Sequence, residues 1–305
     1  MNNIVGYLEW VIDQITSLFN RRTSHVIARF LGKLVYATLL REKWKVETEL
    51  VQKSLLTSFK NAKEIALSGF LNTCSFFVDY QYFAITSPMA LTKLVDTVHI
   101  EGENHLISGL QSERPLIITT IHMDSFLIGI LKLSEYVSPK RKITIIKVNP
   151  PSKKEAAAYA QFVKKEVNFE ILRVLEKPAL ETVKRLRQGQ ILVVMGDVDP
   201  DLSKTESVSF LGHQAKFPCG VIELAIASNS IILPMVMFKD PHSHDEKHIV
   251  KIEELMDPQL LENVSFKEKT VLLTQRLVGY LESWITYTPE QWQMWIVLKR
   301  WWAIS

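Results

Sequence analysis

The fold of this chain is decided by one stretch, Leu116-Ile117-Ile118-Thr119-Thr120-Ile121-His122-Met123-Asp124-Ser125-Phe126-Leu127. Its β-branched run predicts a buried strand over residues 116–121, which ends at a histidine and is followed by the apolar pattern of a helix. In open α/β sheets the carboxyl ends of the strands border the crevice where ligands bind. His122 is therefore a candidate for proton transfer near neutral pH, with a packed or capping histidine as the alternative.

Short β-branched runs alternate with charged helical stretches after residue 88, which is typical of βαβ units. The other predicted strands are 143–148, 169–172, 191–195 and 231–237, with 249–252 as an edge strand. Helices are predicted over 152–166 and 179–187. We therefore expect an α/β fold in which a central, mostly parallel sheet is flanked by helices.

Helical periodicity dominates both ends of the chain. Residues 1–20 predict an amphipathic helix, and the helical pattern of 25–82 completes an all-α front section. We expect a helical N-terminal section over 1–88 and an α/β core with C-terminal helices over 89–305. The first helix either packs on its own domain or lies on a membrane surface.

The C-terminal section, 266–302, is predicted to be helical and is rich in tryptophan. Five of the seven tryptophans follow residue 283: Trp284, Trp292, Trp295, Trp301 and Trp302. Such a concentration of large aromatic side chains either covers the core or forms an interfacial belt that faces acyl chains or lipid headgroups.

The composition is that of an ordinary globular protein, since 47% of the 305 residues are apolar and 23% are charged. A net charge of +3 does not indicate nucleic-acid binding. Cys74 and Cys219 stand far apart, which indicates neither a disulfide framework nor a zinc site. No secretory signal or membrane-spanning stretch is evident. We expect a cytoplasmic protein, with peripheral contact at the inner face of a membrane as the open alternative.

A second block, Met195-Gly196-Asp197-Val198-Asp199-Pro200, ends another apolar strand in two carboxylates. If the sheet is parallel, these carboxylates reach the same crevice as His122. Asp197 and Asp199 can then orient the imidazole, contact an acceptor hydroxyl or hold a cation. The alternative is a pair of aspartates that cap loop amides.

Two further features were considered as sites. Pro218 is predicted to open a helix whose free N–H groups can bind an oxyanion or phosphate, and Cys219 beside it is a candidate nucleophile or, more simply, a small packed residue. The polar loop 240–248 carries three histidines, His242, His244 and His248, but its composition is typical of a solvated surface. We therefore predict no metal site.

The order of several motifs along the chain is more informative than any one of them. They are His122 after a strand, Leu186-Arg187-Gln188-Gly189, Asp197-Val198-Asp199, Phe210-Leu211-Gly212, Pro218, Leu224-Ala225, Pro234 and Pro289-Glu290-Gln291-Trp292. From about Arg41 onward this order resembles the lipid A biosynthesis (lauroyl/myristoyl-type) acyltransferase branch of the lysophospholipid acyltransferase superfamily. The resemblance implies transfer of an acyl chain from an acyl carrier protein or coenzyme A thioester to a hydroxyl or amine, without a cofactor.

The chain departs from the pattern of the family it resembles at one important position. In that family an acidic residue follows the histidine by five positions and holds the imidazole, whereas this chain has Leu127 there. Asp124 is the nearest substitute, and Asp197 or Asp199 can serve from the next strand. His248 and Glu253 have the family spacing, but we interpret this as coincidence on an edge strand with alternating exposure. The membrane-spanning anchor common in the branch is not evident.

On this interpretation His122 is the general base and Asp124 its catalytic partner. The candidate substrate-binding residues are Ser125, Asp197, Asp199, Phe210, Gly212 and Pro218. Basic residues beside the second strand can receive an acidic carrier protein or the phosphate of its prosthetic arm: Lys140, Arg141, Lys142, Lys153, Lys154, Lys164 and Lys165. Helices of the front section can roof a channel for the acyl chain.

Two alternative functions remain open from the sequence. Leu127 favours a degenerate, non-catalytic relative that binds acyl carriers or lipid. The second alternative is a thioester hydrolase or chain-releasing enzyme, in which water or an internal nucleophile takes the acyl group.

Overall fold

The computed structural model describes residues 2–147, 151–164, 166–173, 178–243 and 247–302. Its front section is helical, as the periodicity predicts, because apolar residues recur on one face of each helix. The helices are α1 (Asn2–Leu18), α2 (Arg21–Thr38), α3 (Arg41–Leu55), α4 (Phe59–Ile85) and α5 (Pro88–Asp96). Buried residues of α1, α2 and α4 form a core of their own, which includes Leu8, Ile12 and Val78.

In the described part of the chain, seven strands form one sheet: β1 (His99–Glu101), β2 (Leu116–Thr120), β3 (Ile143–Lys147), β4 (Phe169–Arg173), β5 (Ile191–Met195), β8 (Ile231–Lys239) and β9 (His248–Ile252). Their order in the sheet is β1-β9-β8-β2-β5-β3-β4. All are parallel to their neighbours except β9, which is antiparallel to β8. The predicted mostly parallel α/β sheet is thus confirmed.

Helices cover both faces of this sheet. They are α6 (Glu103–Gln111), α7 (Phe126–Ser134), α8 (Lys153–Lys164), α9 (Pro178–Arg187), α10 (Gly220–Ser228), α11 (Phe266–Tyr287) and the short α12 (Leu298–Trp301). Alternate residues of β2 enter two separate cores, since Ile117 packs with α10 and α11 while Ile118 packs with α7. Burial of both faces explains why the strands are continuous apolar runs.

Three predictions about the elements are wrong. The predicted edge strand is interior, because the unpredicted strand β1 pairs with β9 on its outer side. The stretch 205–218, for which we predict no strand, is a hairpin of β6 (Thr205–Phe210) and β7 (His213–Pro218). Pro218 therefore ends a strand, and the following helix begins at Gly220. The predicted end of the second strand, Val148, lies outside the described residues.

The C-terminal tryptophans cover the core. All five are at most 6% exposed, and Trp292 and Trp301 are fully buried. Beyond α11, where the sequence predicts continuous helix to residue 302, the chain breaks into short turns as far as α12. Between the two alternatives for this section, the structure supports core packing.

Candidate active site

The register of the sheet brings His122 beside Asp197. Strands β2 and β5 are parallel neighbours in which Thr120 stands opposite Met195. Two residues beyond each strand end are His122 and Asp197, and the pairing continues through the hydrogen bond from the Gly196 N–H to the Thr120 carbonyl. The two side chains therefore meet at the carboxyl edge of the sheet, where the sequence placed the crevice.

Asp197 holds His122 at two points. One carboxylate oxygen, Oδ2, accepts the backbone N–H of His122 at 2.9 Å, and the other, Oδ1, lies 2.8 Å from Nδ1 of the imidazole. Since a carboxylate accepts, the imidazole proton sits on Nδ1 and the lone pair on Nε2. The Asp197 side chain is fully buried, whereas 31% of the His122 side chain is exposed. The imidazole is oriented in the manner of a general base.

The electrostatic surroundings raise the pKa of His122. Burial by itself lowers the pKa, but the charge and the hydrogen bond of Asp197 raise it by more, and the Lys147 ammonium lowers it slightly. The Phe126 ring stands edge-on at 6.1 Å between centroids. The histidine is thus a stronger base than a free imidazole.

Leu127 contributes no polar group to this site because its side chain is buried in the apolar core beside α7. The structure places Asp197, and not Asp124, at the imidazole. The Asp124 carboxylate instead lies 2.7 Å from Nδ1 of His248. This pair corrects the expectation of an exposed His248, which is 2% exposed.

Asp124 stays ionised in this pair. Burial raises its pKa, whereas the charge and hydrogen bond of His248 and the charge of Lys239 lower it by more. The residue has a φ of +44°, a left-handed conformation that aspartate tolerates better than most residues. Asp124 thereby fixes the turn that carries His122.

A second buried carboxylate anchors the same turn to the front helices. Ser125 donates a hydrogen bond to Asp79 of α4, which also binds Arg21 at 2.7 Å and His25 at 2.9 Å. Burial raises the pKa of Asp79, but these cations hold it well below its usual value. Ser125 is 2% exposed, so the structure gives it a role in anchoring the turn.

An apolar cavity of about 400 Å³ opens beside His122. Its walls come from α4, α7, α8 and the ends of β3 and β5, and include Phe76, Tyr80, Ile130, Ile145, Tyr159 and Val193. Its charged groups are Lys147 and Glu155, which form an ion pair, and Asp199. Asp199 also binds Arg300 and caps the turn after it. From the front section, α4 contributes Phe76 and Tyr80 to these walls.

The remaining predicted binding residues do not line this cavity. Phe210 is fully buried against Trp292 and Trp301, and Gly212 lies in the tight turn of the β6–β7 hairpin with a φ of +75°. Pro218 lines a separate apolar crevice of about 200 Å³ beside α9 and α10.

The anion site predicted at Pro218 is not formed. The N–H of Cys219 binds the Lys204 carbonyl, and that of Gly220 binds the Ser203 hydroxyl. Cys219 is buried, and burial raises the pKa of its thiol to about 11. It is a packed residue and not an activated nucleophile.

The predicted basic residues do not form one surface. Lys140, Arg141 and Lys142 precede β3 and lie at the opposite end of the sheet from His122. Lys154 is bound by Glu9 and Asp13 of α1. Lys165 lies outside the described residues, as does His244 of the polar loop. Among the described residues there is no group of three or more ligands suited to a metal ion.

Sequence reasoning missed three residues of the site. Trp292 donates its indole N–H to Oδ2 of Asp197 at 3.0 Å, and Gln293 donates its backbone N–H to the His122 carbonyl. The third is Lys147, the last residue of β3, which lies inside a predicted strand and belongs to no motif. Trp292 is the last residue of the motif Pro289-Glu290-Gln291-Trp292, and Gln293 follows it. The sequence indicated the place of this motif in the order of motifs but not its contacts with the site.

One comparison with known proteins gives a family match for this chain. The sequence model of the family described as bacterial lipid A biosynthesis acyltransferase matches residues 19–302. A search of curated proteins found no match. In the part of the chain that the structure describes, every helix is too short or too polar to cross a bilayer.

Proposed function

The chain belongs to the bacterial lipid A biosynthesis acyltransferase family, and on this premise we propose that it moves an acyl chain from a thioester donor to a hydroxyl or amine with His122 as general base. Its membership makes it an acyltransferase of lipid biosynthesis. The proposal adds the donor, which is an acyl carrier protein or coenzyme A thioester, and the residues that perform the reaction.

One observation carries the proposal: a buried carboxylate orients an imidazole at the mouth of an apolar cavity. Nε2 of His122 takes the proton from the acceptor as the acceptor oxygen or nitrogen bonds to the thioester carbonyl carbon. The carbon–sulfur bond then breaks, and the proton passes to the departing thiolate. Asp197 stabilises the imidazolium that exists between these steps.

The charged groups at the cavity suit the other half of the reaction. Negative charge develops on the thioester carbonyl oxygen during the attack, and a fixed cation nearby stabilises it. Lys147 lines the same cavity as His122 and is held by Glu155. We assign this stabilisation to Lys147, and we assign the apolar walls to the acyl chain.

The proposed reaction is tested by measuring the free thiol released from acyl-carrier and acyl-coenzyme A thioesters, with and without alcohol and amine acceptors. We expect release that requires an acceptor and that disappears in His122→Ala. The control is His99→Ala, which removes an exposed imidazole on β1. Release without an acceptor would indicate a thioester hydrolase. No turnover in a folded protein that binds its carrier would indicate a non-catalytic relative.

The exposed face of the first two helices supports peripheral contact with a membrane. Side chains in and directly after these helices are about half or more exposed although they are apolar: Tyr7, Trp10, Leu18, Phe19, Val26, Phe30, Leu34 and Leu39. Patches of this kind on a globular protein mark interaction surfaces. The exposed Arg22, in the first turn of α2, suits an anionic bilayer.

The membrane contact is tested by co-sedimentation with vesicles of phosphatidylethanolamine and phosphatidylglycerol. Trp10→Glu and Phe30→Glu should reduce binding, because each puts a negative charge at the anionic surface. Leu260→Glu is the control, since Leu260 is an apolar residue at least as exposed but lies after β9. Equal binding of all variants would contradict the proposal.

A further inference from the structure

The segment between α11 and the final short helix makes contacts throughout the candidate active site. The side-chain amide of Gln291 makes two hydrogen bonds to Lys239, the last residue of β8. It accepts the Lys239 backbone N–H at 2.7 Å and donates to the Lys239 carbonyl at 2.7 Å. The Glu290 carbonyl accepts a hydrogen bond from Asn72 of α4. The segment is thereby fixed to the sheet and to the front helices before it reaches His122.

The next two residues bind the turn that follows β2. Trp292 forms an antiparallel bridge with Met123, and the Gln293 N–H binds the His122 carbonyl at 3.0 Å. The Gln293 side chain donates to the Asp124 carbonyl at 3.1 Å. Two residues of this turn are thus held through their backbones by a segment far away in the sequence.

The Trp292 indole completes the hydrogen bonds of the Asp197 carboxylate. Its N–H and the His122 backbone N–H share Oδ2, which leaves Oδ1 to the imidazole. The indole cannot move away, because it is fully buried and packs against Trp295 at 4.9 Å between ring centroids. The carboxylate is therefore held in one orientation.

We propose that Trp292 is a positioning residue, which holds Asp197 in the orientation that places and polarises the His122 imidazole for catalysis. This inference rests on the proposed function for its importance to turnover, but the linkage from the indole to the imidazole can be measured without turnover. A donor to Oδ2 neutralises part of the carboxylate charge. Without that donor, Asp197 should attract the imidazolium more strongly.

The experiment follows the titration of His122 by NMR of its ring protons in the full-length protein. Trp292→Phe removes the N–H, and a benzothienylalanine at position 292 removes it while it keeps the shape of the indole. We expect both to raise the pKa of His122 by about half a unit or more. We also expect kcat to fall about tenfold or more, because a carboxylate that no longer binds the indole draws the imidazole away from its productive position.

Trp284→Phe is the matched control, because Trp284 is another buried tryptophan whose indole N–H binds a carboxylate. The bond joins the indole nitrogen to Glu253 at 2.8 Å, and this pair does not involve His122. It should leave the His122 titration unchanged. The other described charged groups that line the cavity with His122 are Lys147, Glu155 and Asp199, and all of them stay in every variant.

An unchanged or lowered His122 pKa in the folded benzothienylalanine protein would overturn the inference, whatever happens to kcat. Failure of the proposed function is a different result. In that case His122→Ala would leave the release of thiol as it is, while the titration would still report on Trp292.

Discussion

Asp197 binds the backbone N–H of His122 at 2.9 Å and its imidazole Nδ1 at 2.8 Å, so that one carboxylate fixes both the position and the tautomer of the histidine. The pair follows from the parallel register of β2 and β5. It supplies the orienting carboxylate that Leu127 cannot provide, from a neighbouring strand end and not from the helix that follows the histidine. The loss of an acid at position 127 is therefore compatible with catalysis.

The acid limb of the pH–rate profile should respond to Lys147. Catalysis needs neutral His122, so kcat/KM falls as pH drops through the raised pKa of this residue, above the usual imidazole value of about 6.5. The Lys147 charge lowers this pKa. Lys147→Met should therefore move the acid limb to higher pH. Lys142→Met changes a lysine at the other end of the sheet and should leave the acid limb where it is. An acid limb at the same pH in both variants would contradict the placement of Lys147 beside His122.

Asp124→Asn should reduce stability. Its hydrogen bond with His248 is buried, and loss of the carboxylate leaves a buried polar group without its partner, which costs about 1–3 kcal/mol. Asparagine tolerates the left-handed backbone at this position, so the substitution tests mainly the charge.

The stability effect of Asp124→Asn should depend on pH. Because the pKa of Asp124 is lowered in the folded state, its stabilisation is present above the unfolded value of about 3.9 and is lost as pH falls below it. Urea unfolding at pH 7 and near pH 3 measures the change, with exposed Asp201→Asn as control. The same free energy of unfolding as wild type at pH 7 would refute the structural role.

Ile130→Phe should shorten the preferred acyl chain. Ile130 lines the cavity, and a larger ring there fills space that the chain would occupy. We expect kcat/KM for the longest accepted chain to fall about tenfold or more, while a chain two to four carbons shorter is less affected. Ile107→Phe, on the outer side of α6, is the control. Equal effects on all chain lengths would exclude this cavity as the acyl site.

Gly212→Ala should reduce stability by about 1 kcal/mol and leave KM unchanged. Gly212 has a φ of +75° in the hairpin turn, where an alanine is strained even though the space around it is open. Gly279→Ala is the matched control, because in the middle of α11 an alanine should stabilise the protein. A rise in KM for Gly212→Ala would restore it as a substrate-binding residue.

The sequence predicted most of the sheet because each buried strand is a continuous β-branched run. It also placed His122 and Asp197 at strand ends. It did not decide which carboxylate meets the histidine, because β3 and β4 come between β2 and β5 in the chain and the order of strands in a sheet leaves no local pattern. Asp124, two residues away, is therefore the natural choice from the sequence, whereas the carboxylate that contacts the imidazole in the structure is that of Asp197.

Other errors have equally local causes. Strand β1 has three residues and too little pattern to detect, which is why the sequence places β9 at the edge of the sheet. The β6–β7 hairpin does alternate apolar residues, but its turn is Leu211-Gly212 and not the usual Asn-Gly or Asp-Gly. The contact of Trp292 with Asp197 joins residues 95 positions apart, and only the folded chain reveals it.

The most direct test of the central claim is a double-mutant cycle on kcat with His122→Gln, Asp197→Asn and both together. Because Asp197 acts through His122, Asp197→Asn should lower kcat by about 10³-fold or more, and the double variant should be no slower than His122→Gln alone. If the fall in kcat of the double variant equalled the product of the two single falls, the two residues would act independently. A rate within tenfold of wild type for His122→Gln would contradict the account altogether.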